Sequence, residues 1–287
     1  MALFAPVCPP RIYKELFKDP TTKGTYFLLL AHEVFANEFA YAELFNPKSV
    51  DLNEGDLRWV HLDNSVIELG SSVSMDLLWD AANIVNADTI VLPDVLCNAQ
   101  GTIDTTLKSY EDFMRLKNAV APGNAGASRE CVIIPQGETM SEWARCLETL
   151  TKELKPENIP WVGVPRNITG RIDTTRLNAL RIIEGMLPKA SIHLMGFSND
   201  MGDDFICSMR PSVVGIDSAA PLRAPNFTFS GKVGPRGNWW NTVEYEPFIA
   251  DNVRYIRKLL GDDPVSDLHM QRKQLNPSTR LQTLFLQ

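Results

Sequence analysis

The 287 residues are 44% hydrophobic and 22% charged, a globular composition sufficient for one large domain or two small ones, and no apolar run approaches the roughly 20 residues a membrane helix needs. A net charge of −7 argues against nonspecific binding to polyanions by the molecule as a whole. The five cysteines are scattered, with no CxxC or CxC pair, so a thiolate zinc site has no local support and they read as small buried hydrophobes with one or two surface thiols.

The opening "MALFAPVCPPR" lacks a basic leader, and its apolar run is too short for a signal peptide, so a cytoplasmic location is expected. "ALFAPV" (2–7) reads as a first strand, "TYFLLLAHE" (25–33) as a second and "LRWVHLDN" (57–64) as a third. In "SVSMDLLWDAANIVNA" (72–87), Met75, Leu78, Trp79, Ala82 and Val85 fall on one helical face. "TIVLPD" (89–94) is a strand, followed by a helix near 104–118, a loop at "APGNAGAS" (121–128), the strand "CVIIPQG" (131–137) and a helix near 139–154. "PWVGVPRN" (160–167) precedes a helix over 173–187, and "SIHLMGF" (191–197) precedes a short helix near 200–207. "SVVGID" (212–217) closes the series.

About eight strands, mostly separated by helices, predict an α/β protein built as a (β/α)8 TIM-type barrel over residues 1–224. A doubly wound open sheet is the second choice, but no GxGxxG or GxxxxGK[ST] loop occurs. Residues 225–287 read as a short C-terminal extension packing on the barrel, irregular at first and helical near 245–260.

Chemistry in such a barrel gathers where strands end and the following loops begin. The polar residues there are His32, Glu33, Asp63, Asn64, Asp94, Gln136, Arg166, Asn167, Asn199, Asp217 and Ser218. Three of the acids follow apolar strands, in "VHLD", "VLPD" and "VGID". One such acid alone could be a helix cap. Three together, with the amide of "PQG", fit a shared carboxylate-rich pocket. No lysine lies at a strand end, which disfavours a Schiff-base aldolase, and no HxH or HExxH motif supports a metal hydrolase. His61 and His193 lie within strands and read as satisfied core histidines. Paired carboxylates suit reaction at a sugar's anomeric carbon, and Asp/Gln groups suit a purine edge, so these residue types favour chemistry at a glycosidic bond.

The ordered segments "HLDNSVIELGSSVS", "IVLPDV", "IIPQG", "WVGVPRN", "IHLMG" and "VGIDSAAPLR" resemble the tRNA-guanine transglycosylase superfamily, most of all its shorter phage-type DNA 7-deazaguanine transglycosylases. The resemblance spans roughly residues 2–224. It implies Asp217 as nucleophile and Asp63 as a catalytic or base-handling acid. Base recognition would fall to Asp94, Gln136, Gly137, Gly163 and Val164, with Met195 against the ring. The family's stacking aromatic aligns with Ile67. Arg223 would be a phosphate or structural contact. The family's C-terminal cysteine-rich zinc element is missing from the sequence, so no zinc subdomain is expected, and tRNA is disfavoured as substrate.

The resemblance thus implies a transferase that exchanges guanine in duplex DNA for a free 7-deazaguanine base such as preQ0. It would flip the nucleotide and pass through a covalent glycosyl-aspartate, without metal or cofactor. Lys232, Arg236, Trp239 and Trp240 in "KVGPRGNWWN" could grip nucleic acid, or the two tryptophans could plug the barrel's end. Gly215, two residues before Asp217 on the same strand face, could leave room for a sugar. A tRNA-acting enzyme, a non-catalytic nucleic-acid-binding barrel and a simple sugar hydrolase stay open as alternatives. Dimerisation or a helper protein could supply the affinity for DNA that an acidic chain lacks.

Overall fold

The computed structural model describes residues 2–46, 58–166, 176–196, 201–222, 240 and 243–262. Eight parallel strands alternate with helices in a nearly closed barrel. They are β1 (Leu3–Pro6), β2 (Tyr26–Leu30), β3 (Trp59–Asp63), β4 (Thr89–Val91), β5 (Glu130–Ile133), β6 (Trp161–Pro165), β7 (Ser191–Met195) and β8 (Val213–Ser218). Hydrogen-bonded ladders run in the order β1-β8-β7-β6-β5-β4-β3-β2. β1 and β2, the two ends of this order, lie against one another. The buried Tyr13 hydroxyl marks that seam, 2.5 Å from the Pro6 carbonyl of β1 and 3.4 Å from the Leu28 carbonyl of β2.

Period-two alternation sorts each strand into two faces. In β2, Phe27 and Leu29 join the shell under the helices, while Tyr26, Leu28 and Leu30 point into the barrel. The helices answer with apolar stripes. Met75, Leu78, Trp79, Ala82 and Val85 are all buried, as their spacing predicts. The helix Met140–Leu154 starts on a capping box in which Thr139 and Glu142 satisfy each other's backbone N–H.

The expected elements form, with shifted edges. The chain leaves β2 at Leu30 and turns helical at once over Ala31–Ala36, so His32 and Glu33 belong to a helix start. The helix expected near 104–118 begins earlier, at Ala99, where the Asn98 side chain caps it. The helix Pro247–Leu260 packs on β1, and Asp262 just beyond it accepts the Phe4 N–H of β1 at 2.9 Å. Arg257 on this helix is 1% exposed, so it forms no part of a solvated basic face. Residues 223–239 and 241–242, where an irregular stretch or hairpin was expected, lie outside the described residues.

The barrel interior is unusually polar and aromatic. Trp59 and Trp161 fill its lower part with ring centroids 5.4 Å apart. Tyr26, His61 and His193 lie against one another above them. Gly215 is paired in register with Leu3 on β1 and His193 on β7. A Cβ on it would lie 2.1 Å from the Tyr26 ring and 2.5 Å from its hydroxyl oxygen. The space beside Asp217 that Gly215 was expected to leave for a sugar is therefore taken by the Tyr26 phenol.

Two measurements follow from this packing. Gly215→Ala should destabilise the protein by roughly 1–3 kcal/mol through overpacking against Tyr26. Urea unfolding of Gly215→Ala, Tyr26→Leu and the double variant should show strong non-additivity, and additive costs would contradict the contact. The second concerns Asp88, which accepts the Val60 N–H at 2.7 Å and whose carboxyl is pushed up to about 7 by burial. Such a carboxyl favours the fold fully below its unfolded value of about 4, and that contribution is lost as pH rises through about 7. Asp88→Asn should therefore gain stability over the parent between about pH 4 and pH 8, with the smallest difference at the acid end.

Candidate active site at the mouth of the barrel

Asp63 ends β3, Asp94 follows β4, Gln136 follows β5, and Asp217 sits next to last in β8. Parallel strands carry all four to the same end of the barrel. All four are nearly buried, Asp217 most exposed at 8% and Asp94 and Gln136 at 2%. Buried polar atoms at such a site need partners, and each acid has a distinct set.

Asp94 is clamped on both oxygens. Asn64 Nδ2 donates to Oδ1 at 2.7 Å, and Gln136 Nε2 donates to Oδ2 at 2.6 Å. Burial nonetheless pushes its carboxyl up to about 6, with these two hydrogen bonds opposing the rise. Gln136 is itself oriented, since its Oε1 accepts the Cys97 N–H at 3.3 Å. Asn64 is also fixed, donating to the Leu92 carbonyl and accepting from the Val66 N–H.

Asp63 accepts the Ser65 N–H at 2.9 Å, a bond made available by the left-handed backbone of Ser65 at φ 60°. Burial raises its carboxyl well above the ordinary range. The charge of Glu68 adds to this, and those of Asp217 and Asp94 add further. The last two contributions mean that the three acids share one electrostatic environment.

Asp217 is held differently. Its Oδ1 accepts the Gly196 N–H at 2.9 Å and lies 3.0 Å from His193 Nε2. Gly196 has φ 73°, a conformation that favours glycine, and this turn after β7 aims its N–H at the carboxylate. The buried Arg176 braces the same turn. It donates to the Met195 carbonyl at 2.5 Å and the Pro165 carbonyl at 3.3 Å, and pairs with Asp204 at 2.8 Å. Arg176 thus ties the ends of β6 and β7 behind the acid.

The remaining expected contacts are placed as follows. Met195 is half-buried against the barrel's inner cluster, beside Gly163. A Cβ on Gly163 would lie 2.9 Å from Ile134 Cγ1, so interior packing already requires glycine there. A Cβ on Gly137 would lie 2.5 Å from the Trp143 backbone nitrogen, so this glycine admits the start of the next helix. Val164 points outward into the shell under the helices, leaving only its backbone on the site side. Ile67 stands 44% exposed on the short helix after β3. Trp240 packs against the inner cluster alongside Met195 and Ala219, and its carbonyl accepts from Arg11 Nη2 at 2.6 Å. Arg223, Lys232, Arg236 and Trp239 lie outside the described residues. A cleft of 590 Å³ reaches Asp94 between the 70–75 turn and the helix Ala99–Asn118, with Ser72, Leu96 and Lys108 on its walls.

Sequence reasoning missed Tyr26, Gly196 and Arg176, and underrated His193. A signal for His193 was present, because it lies two residues before Met195 and therefore shares its inward face. Nothing local pointed to Arg176, whose partners are carbonyls at the ends of two strands and Asp204, 28 residues on.

No family model matches this chain, and no curated protein matches it. Among solved structures, the crystal structure of orotidine 5′-monophosphate decarboxylase from Sulfolobus solfataricus is similar in fold. Its TM-score is 0.52 with 10% sequence identity, over 93% of this chain and 100% of that one. A likeness at that identity shows the (β/α)8 barrel and nothing finer.

Proposed function

We propose that this chain is a base-exchange glycosyltransferase that replaces guanine in DNA with a free 7-deazaguanine base through a covalent glycosyl-aspartate. The observation that carries this reading is the convergence of Asp63, Asp94 and Asp217, from separate strands, on one barrel mouth with unlike environments. A barrel of this kind is a common enzyme scaffold, with chemistry at the end where these acids lie. The order of the motifs around the acids supports the finer assignment.

The division of labour follows from the surroundings. Asp217 has Oδ1 occupied by Gly196 and His193. Its Oδ2 is assigned to C1′ of the flipped nucleotide, bonding there as the C1′–N9 bond of guanine breaks. Asp63, whose carboxyl holds its proton to higher pH than usual, delivers that proton to the departing guanine. The incoming 7-deazaguanine gives its N9 proton to the resulting Asp63 carboxylate, and its N9 bonds to C1′ as the C1′–Oδ2 bond breaks, so the original configuration returns and Asp217 leaves as a carboxylate. Two displacements at one carbon account for a nucleophile and a separate proton carrier.

Asp94, Asn64 and Gln136 form a prearranged set of donors and acceptors for the purine edge. They satisfy one another, so a base that enters must replace those bonds with equivalent ones. A base that cannot do so leaves buried polar groups unpaired, which is a strong basis for rejection. Met195 and the exposed Ile67 offer apolar surface to the ring. DNA is preferred to tRNA because the motifs around the acids resemble most the DNA-acting branch.

The direct test supplies duplex DNA and tRNA together with labelled 7-cyano-7-deazaguanine or guanine. Label should enter DNA. Label confined to tRNA would reassign the substrate, and none in either polymer would refute base exchange. Asp217→Asn should lose activity on the order of 10³-fold or more and abolish any covalent DNA adduct. Proton delivery by Asp63 sets the pH dependence. Exchange should fall as pH rises and Asp63 loses its proton, and Asp63→Asn should remove that limb from the profile.

A further inference from the structure

The interior of the barrel below Asp217 is a continuous chain of hydrogen bonds, and donor direction along it can be derived from one end. Trp59 Nε1–H donates to His61 Nε2 at 3.1 Å. Indole nitrogen is a donor only, so His61 Nε2 must offer its lone pair and the ring proton lies on Nδ1, directed at Thr89 Oγ1. The Tyr26 hydroxyl oxygen is 2.7 Å from the same His61 Nε2. With no proton on that nitrogen, the hydrogen in this contact belongs to Tyr26.

Tyr26 has one hydroxyl proton and has spent it on His61. Toward His193 Nδ1, also 2.7 Å away, it can only accept, so His193 Nδ1 carries a proton. The other nitrogen of the same ring, Nε2, faces Asp217 Oδ1 at 3.0 Å. A neutral imidazole has no second proton for this contact, and a bare nitrogen against a carboxylate oxygen is repulsive. We infer that the His193–Asp217 pair holds one proton more than a neutral imidazole and a carboxylate, placed there by the one-way chain Trp59–His61–Tyr26–His193.

The reversed chain is the alternative. It would put a proton on His61 Nε2 facing the Trp59 N–H at 3.1 Å, setting two donors head to head inside a sealed core. All three side chains in the middle are at most 1% exposed, so no solvent relieves such a clash. The groups facing the pair are consistent with this direction. Burial, then the charge of His193, hold His61 neutral, and burial, then the charge of Asp217, keep Tyr26 protonated. From the remaining sides, Asp217 meets the field of Arg176 and shares its surroundings with Asp63.

The consequence for reactivity rests on the base-exchange reading, whereas the proton count does not. A proton between His193 and Oδ1 fixes that oxygen and leaves Oδ2 as the nucleophilic one. In the second displacement it also stabilises the carboxylate that departs from C1′. His193 is thus a positioning residue for Asp217, and Tyr26, His61 and Trp59 set the direction of its proton.

The test is ¹⁵N NMR of the histidine side chains in the intact resting protein near neutral pH. The sequence has four histidines, and single His→Gln variants at His32 and His269 separate the two interior ones from the rest. The expected result is a proton on His193 Nδ1, with His61 protonated on Nδ1 and bare on Nε2. A bare His193 Nδ1, a His193 Nε2 that neither carries nor accepts a proton, or a proton on His61 Nε2 overturns the inference. Tyr26→Phe removes the acceptor for His193 Nδ1–H, and the ring proton should then sit on Nε2, facing Asp217, with Nδ1 bare. Retained Nδ1 protonation in that variant would overturn the role of Tyr26. Should the variant not fold, the parent spectrum alone decides. A spectrum of the expected form from a protein that exchanges no base would refute the function and leave the proton count standing.

Discussion

A carboxylate at the end of a barrel strand, almost shut off from water, persists only if its lone pairs are met, and Asp217 imposes that requirement on the rest of the interior. Its Oδ1 is met by the Gly196 N–H and by His193. His193 must then be partnered on its other nitrogen, which brings in Tyr26, and Tyr26 brings in His61. Gly215 exists in this sequence because the Tyr26 ring needs the volume a Cβ would occupy. Lining the barrel with aliphatic side chains alone would have left the acid without support, and a half-satisfied polar core is worse than an apolar one. The polar column is therefore the structural condition for an acid at this position.

The three acids share a mouth but not a chemistry. Asp94 is engaged on both oxygens by neutral amides, Asp63 by a single backbone N–H, and Asp217 by an N–H and an imidazole. Closely spaced carboxylates in low dielectric cannot all ionise freely, so their differences in partners decide which keeps its proton. Asp63, with the least support and the charges of Glu68, Asp217 and Asp94 nearby, is the natural proton holder. On the base-exchange reading, this ordering would make Asp63 the acid and Asp217 the nucleophile.

Much of the architecture was legible because it rests on local periodicity. The helix face of Met75, Leu78, Trp79, Ala82 and Val85, and the apolar runs of β2 to β8, are short-range patterns that burial follows faithfully. Strand-end acids were legible for the same reason, since a charge closing an apolar run is visible in one dimension. What escaped was set by contacts far apart in sequence. Tyr26 and His193 are 167 residues apart, and no window of sequence reveals that a phenol fills the gap at Gly215. Reading Gly215 as room for substrate failed because a missing side chain says only that something approaches, and here the occupant is the chain itself. His61 and His193 were correctly placed in the core, but residue type alone could not say which buried histidine touches an acid.

The basic residues of the C-terminal third bear on how a polyanion could be held. Arg210 is paired with Glu184, Arg254 with Asp19 and Asp251, and Arg257 is buried near Asp262. Guanidinium groups already committed to carboxylates release little on meeting phosphate, because one ion pair is exchanged for another. These three therefore argue for a structural use of charge: Arg254 fastens the helix Pro247–Leu260 to the helix start at Asp19, and Arg210 fastens the turn before β8 to Glu184. With an overall charge of −7, attraction of a nucleic-acid backbone cannot come from the molecule's mean field. On the DNA reading it would have to come from a few local cations or from a second molecule. Arg223, Lys232 and Arg236, the cations read from the sequence as contacts to nucleic acid, lie outside the described residues. On the base-exchange reading, weak backbone binding joined to an exacting pocket would make recognition depend on the flipped base more than on the duplex.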